Sequence, residues 1–285
     1  MKNLIKKLLR ILPDKWYIQI QYFYHFHRFA NLKNPRTFNE KLQWLKLHDH
    51  NPLYTTLVDK YAVKKWVADK IGEQYIIPTL GVWQKAEDID FDKLPNQFVL
   101  KCNHSGGGNV IICRDKAKLN KQATIQKLAL QLKNNNYWYG REWPYKNVQP
   151  CIIAEKYMEE SKSKGLYDYK FLCFNGKAHY VEVHRGRFTS KYSQTFYDMN
   201  GQFQPFNNKG YQIVETKPLS QEILVRFQPL VNKLAAGLRH VRIDFYYVND
   251  QPYFGEITFF DGSGYVPFTP IDWDKKLGDL IRIGI

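Results

Sequence analysis

Apolar residues spaced at three and four positions dominate the first quarter of the chain. Phe38-Asn-Glu-Lys-Leu-Gln-Trp-Leu-Lys-Leu47 and Leu57-Val-Asp-Lys-Tyr-Ala-Val-Lys-Lys-Trp-Val67 each read as one amphipathic helix, and Thr37 with Glu40 makes a capping box before the first. After Gly72 the period shortens. Ile76-Ile77, Leu80 to Trp83 and Gln97 to Lys101 read as strands, with Leu94-Pro95 turning the chain before the last. Asn109 to Cys113 reads as a return strand, and Lys121 to Lys133 as a helix with Ile125, Leu128, Ala129 and Leu132 on its apolar side. A second strand-rich block follows at Cys151 to Tyr157, Tyr169 to Phe174 and Ala178 to His184. A loop-rich stretch then leads to a helix over 220–239 with Ile223, Phe227, Leu230, Val231 and Leu234 inward. The charged run Glu159-Glu-Ser-Lys-Ser-Lys-Gly165 reads as a loop between two lobes.

One pair of strands breaks the pattern. His240 to Val248 and Pro252 to Thr258 form a hairpin around Asn249-Asp250-Gln251, yet Arg242, Asp244, Glu256 and Thr258 place charge and hydroxyl where packing favours apolar groups. A three-residue loop pairs 248 with 252 and therefore 244 with 256, whereas a two-residue loop sends the carboxylates to opposite faces. We adopt the three-residue loop. Two carboxylates beside other oxygens suit a hard divalent cation, which also keeps phosphates and waters as ligands.

A second segment, Phe98-Val-Leu-Lys-Cys-Asn-His-Ser-Gly-Gly-Gly-Asn-Val110, runs from a strand through Lys101 and Ser105 into a turn at Gly106, Gly107 and Gly108. Residues without β-carbons let successive backbone N–H groups close around a phosphate, and Lys101 supplies a point charge beside it. The turn is neither a P-loop, since GxxxxGK[ST] is absent, nor a dinucleotide fingerprint, since a strand follows it. Glu155 and Lys156 end an apolar strand, where by themselves they read as solvated charges. Lys170, inside another strand, requires an anion nearby.

Composition narrows the class. The 285 residues, 44% of them hydrophobic, support a sizeable core, and no apolar run approaches the ~18 residues of a membrane span. Cys102, Cys113, Cys151 and Cys173 lack CxxC spacing and read as buried free thiols, suited to a reducing cytoplasm. The amino-terminal segment begins like a signal peptide but Lys6, Lys7 and Arg10 interrupt it, so it reads as a retained amphipathic helix. Docking on the protein is the preferred reading of that helix, and peripheral contact with the inner face of the membrane is the alternative. A net charge of +15 concentrates anions without selecting among them. No RRM, KH or zinc-knuckle signature accompanies it, so no nucleic-acid partner is expected. The eight histidines are scattered and form no Ser-His-Asp or Cys-His arrangement. Asp88-Ile-Asp90, Asp90-Phe-Asp92 and Asp272-Trp-Asp274 satisfy the loose DxD pattern, which keeps a nucleotide-sugar glycosyltransferase as the alternative reading.

The order of Asp59-Lys60, Lys101 with its glycine turn, Glu155, Lys170, Arg242-Ile-Asp244 and Gly255-Glu-Ile-Thr258 resembles the ATP-grasp superfamily. Within it, Thr37-Phe-Asn-Glu-Lys41, Val99-Leu-Lys-Cys-Asn-His104, Asp168-Tyr-Lys-Phe171 and Phe254-Gly-Glu-Ile-Thr258 resemble the TupA-like branch associated with teichuronopeptide and other surface polysaccharides. The resemblance implies an α+β ATP-grasp fold: a helical region over 1–95, a nucleotide-binding lobe over 96–160 and a metal-binding lobe over 161–285. It implies that ATP and Mg2+ are the cofactors. Lys60, Lys101, Ser105, Gly106, Gly107 and Gly108 would hold phosphates, Glu155 and Lys156 the adenine and ribose side, and Lys170 the transferring phosphate. Asp244, Glu256 and Thr258 would hold magnesium, and Arg242 would steady the acyl-phosphate oxyanion. Thr258 stands where many members carry Asn, which weakens the second metal position. The implied reaction joins an amine or amino acid to the carboxylate of an anionic sugar or polysaccharide precursor. Arg185, Arg187 and Lys191 of a basic loop and Ser263-Gly264 of the Asp261-Gly-Ser-Gly264 turn are the substrate candidates. Nothing in the sequence fixes the oligomeric state.

Overall fold

A computed structural model describes residues 10–106, 109–159, 166–186 and 192–284. Gly107, Gly108, Arg187, Lys191, the amino-terminal nine residues and 160–165 of the charged loop lie outside them. The fold is α+β with antiparallel sheets, as expected.

Helices come first: Asp14–Phe26, Phe38–His48, Leu53–Val58 and Ala62–Ile71. The Thr37 hydroxyl accepts from the Glu40 amide and the Glu40 carboxylate accepts from the Thr37 amide, so the capping box forms. The continuous helix expected over 57–67 does not. The chain breaks at Asp59-Lys60-Tyr61, where the Asp59 carboxylate accepts from the Tyr61 and Ala62 amides at 2.8 and 3.1 Å and restarts the helix. The Lys60 amide donates to the Asn103 carbonyl (3.0 Å), and the Asn103 side chain returns to Asp59 (2.9 Å). A tertiary clamp thus overrides local periodicity. Ile76 makes only an isolated bridge to Phe254, not a strand with Ile77.

The smaller sheet contains β1 (Thr79–Trp83), β2 (Phe98–Cys102), β3 (Ile111–Cys113) and β4 (Ile152–Lys156), in the order β1-β4-β2-β3. The return strand expected from Asn109 is therefore shorter. Because β1 pairs with β4, this sheet draws on both sides of residue 95. Phe98, Leu100 and Cys102 point into a core with Leu128 of the helix Lys121–Leu132, which leaves Val99 and Lys101 on the opposite face. The short helix Tyr137–Gly140 lies between that helix and β4.

The larger sheet contains β5 (Tyr167–Phe174), β6 (Lys177–Arg185), β7 (Ser193–Asp198), β8 (Phe203–Gln204), β10 (His240–Val248) and β11 (Gln251–Thr258), in the order β11-β10-β5-β6-β7-β8. The two-residue strands β9 (Asn207–Asn208) and β12 (Phe268–Thr269) pair separately. The helix Gln221–Ala235 packs Phe227, Val231 and Leu234 on one face of the large sheet, against Tyr169, Phe171 and Phe245, and the helix Asp272–Leu280 ends the fold. All four cysteines are free and buried.

The polar hairpin reaches its expected pairing by another route. Val248 pairs with Gln251, so the loop is Asn249-Asp250 alone, both residues at positive φ (50° and 62°), as a two-residue hairpin turn requires. That register by itself separates the carboxylates. A bulge at Gly255 restores them: Phe245 pairs with Phe254 and Asp244 with Glu256. The extra residue shifts the strand by one and returns Glu256 to the face of Asp244.

Candidate active site

Register now aligns a row of charge, buried except at Glu256, which is half-buried. Asp244 on β10 faces Glu256 on β11 and Lys170 on β5, and Lys170 faces Glu182 on β6. Arg242, two residues before Asp244, shares its face and lies opposite Thr258. Its guanidinium grips Asp244 with two nitrogens (2.7 and 2.9 Å) and donates to Glu256 (3.2 Å), Thr258 (3.3 Å) and Asp261. One planar fork with five donors is what so many acceptors demand. Lys170 donates to Asp244, and Lys60, delivered by the helix break, pairs with Glu256 at 2.7 Å.

Three cations thus face three carboxylates at the junction of the lobes. Burial opposes ionisation of Glu256, but Lys60, Lys170 and Arg242 override it and hold the carboxyl well below the usual carboxylate range. Burial likewise opposes the Arg242 charge, and Asp244, Asp261 and Glu256 outweigh it, so the guanidinium stays protonated.

A second charged cluster lies on the small sheet. Glu155 is buried rather than solvated, and its two oxygens accept from Lys101 (2.6 Å) and Lys64 (2.7 Å). Burial raises its pKa, but the two lysines more than reverse that and keep it ionised. Lys64 is half-buried and shares the carboxylate with Lys101, and its partial burial draws it below the ordinary lysine value. Lys156, at the end of β4, is exposed.

At the glycine turn Ser105 points inward, its hydroxyl donating to the Cys102 carbonyl (2.9 Å). Ser105, Gly106, His104, Asn109, Gln131, Asn134, Asn136 and Tyr139 line a cavity of about 260 Å³ without a formally charged wall. His104 Nε2 and both polar atoms of Gln131 are buried there without hydrogen-bond partners, and burial lowers the His104 pKa. A concavity of about 490 Å³ beside Glu87 and Gln122 gathers no such groups.

The substrate candidates divide. Ser263 sits at positive φ (55°) between Gly262 and Gly264, and its hydroxyl donates to Glu142. Under that turn Lys46 is fully enclosed, donating to Gln43 Oε1 (2.9 Å), Gly140 O (2.6 Å) and Ser263 O (2.7 Å). Arg185 instead lies beside the Tyr167 and Tyr197 rings and donates to the Tyr197 hydroxyl (3.0 Å), away from the carboxylate pair on the sheet. The DxD candidates do not converge: Asp90 pairs with Lys93, Asp92 with Lys121, and Asp272 with Lys276, while Asp274 is buried against Asn39. Sequence reasoning missed Lys64, Lys46, Glu142 and the side chain of Asp261. A lysine within an amphipathic helix reads as solvent-facing, and only the tertiary partner shows otherwise.

Magnesium fits the carboxylate pair. Asp244 and Glu256 share one face and one arginine nitrogen, and they offer hard oxygens with the Thr258 hydroxyl adjoining. Among the described residues no three or more His, Cys, Asp or Glu side chains form a closed metal cage.

A model of the TupA-like ATPgrasp family matches residues 40–282. No curated protein matches the chain. Among solved structures, similarity extends to D-alanine–D-alanine ligase from Bacillus anthracis complexed with ATP (20% identity, TM-score 0.42, 79% of this chain and 63% of that one). It extends also to D-alanine–D-alanine ligase from Helicobacter pylori (14%, 0.43, 86% and 69%) and to the D-cycloserine synthetase DcsG (13%, 0.45, 80% and 70%). The chain spans less than two thirds of the length of the Bacillus anthracis enzyme.

Proposed function

Because the chain belongs to the TupA-like ATP-grasp family, we propose that it is an ATP-dependent carboxylate–amine ligase. In this reading ATP phosphorylates a substrate carboxylate, and an amine then displaces phosphate from the acyl phosphate to leave an amide. The observation that supports it is the row Glu256, Asp244, Lys170 with Arg242 and Lys60, which gathers cations and carboxylates of the kind that neutralise a transferring phosphoryl group. Phosphoryl transfer needs positioning and fixed charge rather than a nucleophilic side chain.

Asp244 and Glu256 would hold Mg2+, which neutralises charge on the transferring phosphoryl oxygens when bound. Lys60 and Lys170, which pair with those carboxylates, would supply cations to the phosphates. Lys101 supplies a cation from the small sheet and keeps its direction through Glu155. Arg242, fixed by Asp244 and Asp261, would set its delocalised positive charge beside the oxyanion formed when the amine attacks.

The substrate is read as a hydroxyl-rich saccharide or its precursor. Support comes from the uncharged, amide-lined cavity beside the glycine turn, where carboxamides both donate to and accept from hydroxyls and Tyr139 offers a ring face. The test is product analysis with ATP, Mg2+, a uronic-acid saccharide and a panel of amino acids. ADP and phosphate released only with carboxylate and amine together support ligation. Turnover of a nucleoside-diphosphate sugar without ATP refutes it.

A further inference from the structure

The helix Asp14–Phe26 has two apolar faces, and only one is covered. Tyr17, Ile18 and Tyr22 are buried, with the Tyr17 hydroxyl donating to the Trp138 and Tyr139 carbonyls. The opposite face carries Trp16, Ile20, Phe23 and Tyr24, at spacings of four, three and one, and these are 64, 43, 47 and 73% exposed. Ile11 and Phe29 extend the patch beyond both ends, and the Phe23 and Phe29 rings lie 5.1 Å apart in the open. Single exposed apolar residues need no explanation, but six within residues 11–29 form a surface that water does not favour.

Charge is concentrated in the same stretch. Residues 1–36 contain eight Lys or Arg against one acidic residue, Asp14. Lys15, Lys33 and Arg36 are exposed around the aromatic face.

We infer that this face docks on an anionic lipid bilayer. Trp, Tyr and Phe settle at the boundary between headgroups and acyl chains, Ile11 and Ile20 enter the hydrocarbon edge, and the cations meet acidic headgroups. A second copy of the chain would bring the same excess of positive charge against itself. A nucleic-acid strand has no use for the isoleucines, and a convex helix face offers it no groove. The helix touches the site: the His25 ring stacks on Tyr265 (5.4 Å), directly after the Asp261–Gly264 turn. Docking therefore holds that turn near the membrane, where a lipid-borne substrate would be presented.

The experiment is co-sedimentation of the full chain with phosphatidylcholine vesicles, with and without a third phosphatidylglycerol, at 0.1 and 0.5 M salt. Binding to the anionic vesicles is expected to be at least about ten-fold tighter and to weaken with salt. A Trp16→Ala/Phe23→Ala double variant is expected to lose about ten-fold in vesicle binding at unchanged melting temperature and unchanged ATP-induced stabilisation, since both side chains are exposed. Absence of anionic-vesicle binding, or equal binding by the double variant, overturns the proposal. So does tighter binding to single-stranded RNA than to vesicles, or a dimer that the double variant abolishes while vesicle binding is unaffected.

Discussion

Asp244 and Glu256 face each other across β10 and β11 because Gly255 is inserted between the pairs Phe245–Phe254 and Asp244–Glu256. A β-carbon at Gly255 would lie 3.1 Å from the Asp244 carbonyl oxygen, tighter than ordinary contact, so the bulge holds best with glycine. A bulge that carries a carboxylate back to its partner's face serves the site, since the hairpin could pair without it.

Glu256→Gln follows directly. The amide keeps the shape and the hydrogen bond from Arg242 but removes the charge that Lys60 and Arg242 neutralise and that a magnesium ion requires. ADP release is expected to fall by about a thousand-fold, with the far-ultraviolet dichroism spectrum unchanged. A variant within a few-fold of the parent would show that Glu256 holds no metal.

Glu155 and Lys101 separate stability from binding. Glu155→Gln leaves Lys64 and Lys101 facing one another beside a neutral amide, and denaturant titration should show a loss of about 3–5 kcal/mol. Lys101→Ala leaves Glu155 paired with Lys64, so the intrinsic stability should fall less, while the rise in melting temperature with ATP largely disappears. If ATP stabilises the Lys101 variant as much as the parent, that lysine serves the fold alone.

How far the sequence discloses this site differs from residue to residue. Arg242, Asp244, Glu256 and Thr258 were legible because polar side chains alternating within a β-prone run violate the expected pattern. The loop length was not, because a bulge changes the register without changing composition: Asn249-Asp250-Gln251 admits a two- or a three-residue turn equally well, and only pairing to β10 shows Gly255 left over. Leu57 to Val67 keeps its helical period through the break at Lys60, and the Asn103 groups that open it lie more than forty residues away in sequence. Glu155 read as a strand-end charge because its partner Lys64 belongs to another element. Long-range polar partners leave no local mark.

His240 sets a pH dependence. Its ring lies between Phe38 and Phe174 (5.0 and 4.9 Å), Nδ1 donates to the Cys173 carbonyl (2.9 Å), and burial depresses its pKa to about 4 from 6.5. The unfolded chain takes up this proton near pH 6.5 and the folded one not until about pH 4, so stability falls as pH drops through that window and is intact above it. The loss amounts to about 3 kcal/mol, and His240→Phe should flatten the stability curve between pH 6.5 and 4 by that amount. An unchanged slope in the variant assigns the acid sensitivity to other groups.

Lys46 closes the site from below. Burial depresses its pKa to about 7, yet Gln43 Oε1, Gly140 O and Ser263 O engage all three ammonium protons, and the Tyr265 ring lies 4.5 Å away. A neutral amine would leave one of those acceptors without a donor, so the protonated form is the one this geometry holds. Lys46→Met matches the length of the side chain but strands Gln43 Oε1 and Gly140 O, while Ser263 O keeps its bond from Gln43 Nε2 (3.0 Å), for an expected loss of about 2–4 kcal/mol in denaturant titration. Ser263, at positive φ above the ammonium, loses the shorter of its two tethers, so turnover should fall further than ATP binding does. Equal losses in both would place Lys46 in the general packing of the helix Phe38–His48 rather than in the positioning of the Asp261–Gly264 turn.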